Sequence, residues 1–153
     1  MIVALLLQAT AGQHLPHDVW ASLSISASLA HTSETVEFLR GGTGAAAGDV
    51  ILRRTSRRLE DAPRVTWATS RTCAGVREAV ARWDALPMPS VVRPGDPESL
   101  VMDGEGYTIR FYGRYGAEFG TPMELSSNRG TPLSQWVSGT LLLLKPCWTD
   151  NRP

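Results

Sequence analysis

A chain of 153 residues that is 42% hydrophobic and 20% charged is long enough to bury one proper core and too apolar to be a disordered segment. Fifteen basic residues balance fifteen acidic ones, so the formal net charge is zero. Long-range attraction to nucleic acid or to an anionic membrane is therefore not a property of the molecule as a whole.

In chain order, Ile2 to Leu7 form a short apolar run, and Ala9-Thr10-Ala11 has the small-x-small spacing of a signal-peptidase site. No Lys or Arg precedes the run, and a buried first strand is the competing reading. The expectation is a signal peptide over 1–11 and a single domain over 12–153, located in the periplasm or secreted. Nothing else approaches the ~20 apolar residues of a membrane-spanning helix. His14 and His17 flank Pro16 in a polar linker, without a third ligand in ligand-like spacing, so no metal site is expected there.

Leu23, Ile25, Ala27 and Leu29 alternate with Ser22, Ser24, Ser26 and Ser28, which predicts a strand over 19–30 with one core face and one hydroxylated face. Further strands are predicted over 34–39, from Asp49 to Arg54, and over 64–69. Gly41-Gly42-Thr43-Gly44 lacks both the GK[ST] ending of a P-loop and the GxGxxG frame, so it reads as a hairpin loop.

Cys73, Val76, Val80, Trp83 and Leu86 recur every three or four residues and predict an amphipathic helix over 72–86, capped by Thr72 and ended by Pro87. After a proline-rich crossing from Met88 to Pro97 and a turn at Asp103-Gly104, strands are predicted over 107–112 and 123–127. A loop from Gly113 to Gly120 separates them. The last element is a helix over 131–144, with Thr131 as N-cap, Pro132 at the first helical position, and Leu133, Trp136, Val137, Leu141 and Leu144 on one face.

The order is β-β-β-β-α-β-β-α. It predicts an α+β fold: a mainly antiparallel sheet with both amphipathic helices packed on one face. The only cysteines, Cys73 and Cys147, fall at the ends of the helices and predict one clamping disulfide, which points to an oxidising compartment. Two unrelated buried thiols are the alternative.

Candidate chemistry is sparse. There is no G-x-S-x-G elbow and no histidine in the second half of the chain. Asp103 and Glu105 could serve as acid and base, and a small hydrolase using them is the alternative functional reading. The first reading is a non-enzymatic binding or accessory module, without a cofactor, for a protein or an anionic envelope component. Arg53, Arg54, Arg57 and Arg58 form a basic stretch suited to an anionic group, with internal pairing to the acidic stretch of Asp96, Glu98, Asp103 and Glu105 as the competing reading that zero net charge favours. Tyr112 and Tyr115, among Gly113, Gly116 and Gly120, could form an adaptable recognition loop, with a long β-hairpin whose aromatics fold back over the sheet as the competing and stronger reading. Trp67 stands alone as a stacking aromatic near the arginines, so no nucleic-acid partner is expected.

Overall fold

The computed structural model describes residues 15–16, 18–41, 48–59, 61–90, 104–113 and 120–153. Residues 1–11, His14, His17, Gly42 to Gly44, Asp96, Glu98, Asp103 and Tyr115 lie outside the described residues.

Six strands form one sheet: β1 (Val19–Ala27), β2 (Thr32–Arg40), β3 (Val50–Arg58), β4 (Arg64–Thr69), β5 (Glu105–Gly113) and β6 (Thr121–Asn128). Their order is β4-β3-β2-β1-β5-β6, and every neighbouring pair is antiparallel. β1 to β4 make a meander. The chain then crosses through α1 (Ala74–Ala81) to set β5 on the other side of β1, and the β5–β6 hairpin leads into α2 (Pro132–Leu144). This is the α+β architecture that the alternating and helical patterns predict.

Alternation decides which face carries the core. The cross-strand row Ala68–Leu52–Phe38–Ala21–Phe111–Met123 and the neighbouring row through Val36, Leu23, Ile109 and Leu125 lie on the helix-bearing side. Leu23, Val36, Phe38, Leu52 and Ile109 are fully buried there against Val76, Val137 and Leu144. Each such side chain stabilises the fold by about 1.5–3 kcal/mol relative to exposure. One register shift at Trp20 interrupts the β1–β2 ladder and turns its indole to the helix side, 5.3 Å from the Phe38 ring. A bulge of this kind places two successive residues on one face, against simple alternation.

Most elements differ by a few residues from the sequence expectation, and three of these differences have a local cause or a bearing on the site. β1 stops at Ala27, because the hairpin reverses over Ser28–His31 with His31 at φ 47°, and Leu29 is left 79% exposed at its tip. β3 runs on to Arg58, so the arginine stretch lies wholly within a strand. The first helix is shorter than 72–86. Thr72 sits in the turn closed by the Thr69 carbonyl, Cys73 takes the N-cap position without a side-chain bond, and Arg82–Ala85 tighten to a 3-10 turn. Leu86 is already extended, as the residue before a proline must be. In α2 the Thr131 hydroxyl accepts the Ser134 N–H at 3.1 Å, as its spacing predicts.

Cys73 and Cys147 are joined, with Cα atoms 5.6 Å apart, and tie the start of α1 to the residues after α2. Gly75 allows this approach. A Cβ there would sit 2.9 Å from the Leu143 carbonyl oxygen and 3.2 Å from Cys147 Sγ. Alanine gains about 1 kcal/mol of helix propensity, but the backbone oxygen cannot yield as a flexible side chain would. Gly75→Ala is therefore expected to destabilise the domain by about 1–3 kcal/mol through overpacking. Urea unfolding checks this, and an unchanged or raised midpoint contradicts it.

Candidate functional site

Because successive side chains alternate across a strand, β3 divides its arginines between the two faces. Arg53 points to the face without helices, where its Nε and Nη2 donate to Glu37 Oε2 and Oε1 at 2.5 and 2.9 Å. Arg54 points to the helix side. Its Nε donates to Thr66 Oγ1 at 2.9 Å, and its guanidinium lies 4.6 Å from the Trp148 ring centroid. Both guanidinium groups thus have partners within the chain, and Arg54 also lines a hollow beside Lys145 and Trp148.

Arg57 and Arg58 are exposed, and among the described residues neither makes an ion pair. They line a groove of about 510 Å³ with Ile25, Glu34, Asp61, Arg64 and Glu105. The groove occupies the end of the sheet where β1 and β3 finish and β2, β4 and β5 begin. Arg58, Thr32, Ala27 and Glu105 form one cross-strand row along it. At about 4.8 Å per strand that row spans roughly 14 Å. A second hollow of about 330 Å³ shares Ile25 and Glu34 and continues towards Lys145 and Trp148.

The other candidates fall elsewhere. Tyr112 lies near the far end of β5 on the helix-free face, with its hydroxyl 3.3 Å from the Leu15 carbonyl oxygen that accepts from it. Seven residues of strand separate it from Glu105, roughly 23 Å, so the arginines and Tyr112 do not form one surface. Glu105 Oε2 accepts the Tyr107 hydroxyl at 2.7 Å and lies 3.8 Å from Arg129 Nε. His31 is in the β1–β2 turn and does not line the groove. Among the described residues there is no group of three His, Cys, Asp or Glu side chains that could hold a metal ion.

The Glu105 hydrogen bond, followed by burial, holds the Tyr107 phenol above its ordinary value of 10.0. The protonated form is thus favoured by folding. This contribution is present below the ordinary value and is lost as pH rises through the folded one. The 295 nm absorbance of one of the three tyrosines is expected to appear late in an alkaline titration, and Tyr107→Phe should remove that late step. Its persistence in the variant contradicts the assignment.

The helix-free face is ordered in rows across the strands. Thr55, Thr35, Ser24, Thr108 and Ser126 make a hydroxyl row, with Thr108 and Ser126 Oγ atoms 3.0 Å apart. Arg53, Glu37, Ser22, Arg110 and Glu124 make a charged row, in which Arg110 Nε donates to Glu124 Oε2 at 2.6 Å. One further structural feature follows Cys147: Thr149 pairs with Trp67 on the outer side of β4. Only the position of Trp148-Thr149 just past the cysteine hints at it in the sequence.

These features define a disulfide-clamped α+β domain with a mixed-charge groove at one end of its sheet. The chain matches no family model, no curated protein and no solved structure in the comparisons made with each.

Proposed function

We propose that this chain is a non-enzymatic binding module, exported to the periplasm or secreted, whose groove holds an anionic group of a protein or envelope partner. The observation that carries the reading is that Arg57 and Arg58, which alternation sends to opposite faces at the end of β3, both line the groove. They stand exposed at the groove and, among the described residues, have no carboxylate partner, whereas Arg53 pairs with Glu37 and Arg54 is engaged by Thr66 and Trp148. Guanidinium groups presented in this way suit carboxylate or phosphate, which they bind by paired N–H donors. Glu34, Asp61 and Glu105 in the same groove would oppose a purely anionic ligand and favour one that also carries a cation or hydroxyls. The commitment of Glu105 to Tyr107 and Arg129 supports binding over acid–base chemistry.

Export is supported by the intramolecular disulfide, a bond that persists in oxidising compartments. No described helix is long and apolar enough to cross a membrane. Wild-type protein is expected to be retained on an immobilised peptide that carries aspartates among serines and lysines, and to elute with salt. Arg57→Glu/Arg58→Glu is expected to pass through unretained, with its unfolding midpoint near that of wild type. Equal retention of the double variant removes the groove from consideration.

A further inference from the structure

We propose that β6 accepts an extended segment of a partner protein as a seventh strand. This goes beyond the groove reading and uses a different part of the sheet.

The two sheet edges are finished differently. On β4, the Trp67 N–H donates to the Thr149 carbonyl at 2.8 Å and the Thr149 N–H to the Trp67 carbonyl at 2.9 Å. Arg64 pairs with Asp150 at 3.0 Å, and Arg152 lies over the Trp67 ring at 5.1 Å. The middle of that edge is thereby closed. On β6, nothing among the described residues pairs with the outer side. An open row of backbone donors and acceptors is the template that strand addition uses.

Beside β6 runs a groove of about 520 Å³, lined by Leu125 and Leu133 and walled by Pro87, Met88, Pro89 and Ser90. Pro87 and Pro89 have no N–H, so this wall cannot seal the edge by pairing along its length. Met88 stands 62% exposed in it. Pro122 faces Tyr112 within β6, and proline is tolerated in an edge strand where its missing N–H faces outward. By the alternation of the strand, Glu124 and Ser126 then direct their N–H and C=O groups to the open side.

Side-chain chemistry specifies the occupant. The charged row alternates from Arg53 to Glu37, then through Ser22 to Arg110 and Glu124, and it ends at the open edge with Glu124. A seventh strand continues the alternation by placing a cation beside Glu124. On the opposite face, an apolar side chain beside Leu125 enters the groove towards Met88 and Leu133. The fitting partner is an extended segment that alternates apolar with polar residues and carries a lysine or arginine in the polar set. A second copy pairing β6 to β6 does not meet this requirement, since Thr121–Asn128 contains no basic residue.

The test uses the full disulfide-bonded chain and capped eight-residue peptides that alternate valine with serine around one central lysine. The lysine peptide is expected to bind and to slow amide exchange at Glu124 and Ser126. Its glutamate counterpart should bind several-fold more weakly. N-methylation of one alternate set of peptide amides should abolish binding and methylation of the other should not, because only one set faces the edge. Arg57→Glu/Arg58→Glu should bind the peptide as wild type does, which separates this site from the arginine groove. Absence of exchange protection at Glu124 and Ser126 at millimolar peptide, or equal tolerance of both methylation sets, overturns the proposal.

Discussion

Replacing Trp83 with alanine is expected to lower the unfolding free energy by about 3–5 kcal/mol, the range for removing a large aromatic side chain from a packed site. Trp83 sits in the 3-10 turn after α1, and its ring centroid lies 5.0 Å from Trp136, 5.5 Å from Phe38, and 5.8 Å from both Trp20 and Phe111. It thus joins β1, β2, β5 and α2 through a single side chain. Edge-to-face geometry adds about 0.5–1.5 kcal/mol per aromatic pair beyond area burial. Neighbouring Arg82 reinforces the same junction, since its carbonyl accepts Trp136 Nε1–H at 3.1 Å. Among the described residues the Trp83 Nε1–H itself is buried without a partner. Phenylalanine removes that desolvated donor while keeping most of the ring, so Trp83→Phe should cost less than about 1.5 kcal/mol. Urea unfolding of both variants checks the pair. Equal losses for phenylalanine and alanine would contradict a packing role.

Removing the disulfide is expected to have a comparable effect by a different route. Cys73 and Cys147 are 74 residues apart in sequence. For a loop of that length the chain-entropy model gives at most about 4.5 kcal/mol, acting through the unfolded state. The Cys73→Ala/Cys147→Ala variant should therefore unfold at a much lower urea concentration. Wild type in strong reductant should behave in the same way. A local consequence distinguishes this from a uniform loss. Cys147 immediately precedes the segment in which Thr149 pairs with Trp67, so the variant should exchange the Trp67 amide faster than amides in the middle of β1. A variant with the wild-type midpoint would show that the bond contributes nothing to stability.

Legibility in the sequence followed how local each determinant is. The Ser–apolar alternation of 22–27 marked β1 and its two faces, and Thr131-Pro132 marked the start of α2, because these signals are written within a few neighbouring residues. The position of β5 beside β1 was not legible. Pairing Leu23 with Ile109 joins residues far apart in the chain, and the element order alone allows several neighbours. The Trp20 bulge was hidden because alternation counts every residue as one step. Among the site candidates, the division of Arg53 and Arg54 between faces follows from alternation within the strand that begins at Asp49. The partners that hold them, Glu37 on β2 and Trp148 beyond α2, depend on register and on the tertiary fold. The contrast between a β4 edge paired to Thr149 and a β6 edge without a partner among the described residues likewise arises only when the sheet is assembled.

The binding reading rests on Arg57 and Arg58, and its most direct measurement is an amide chemical-shift titration of the full chain with a soluble peptide that carries aspartates among serines and lysines. The expected result is saturable shifts at Thr32, Arg57, Arg58 and Arg64, with Tyr112 unmoved. Shifts confined to other parts of the sheet, or none at millimolar peptide, would contradict a binding groove at the end of β3.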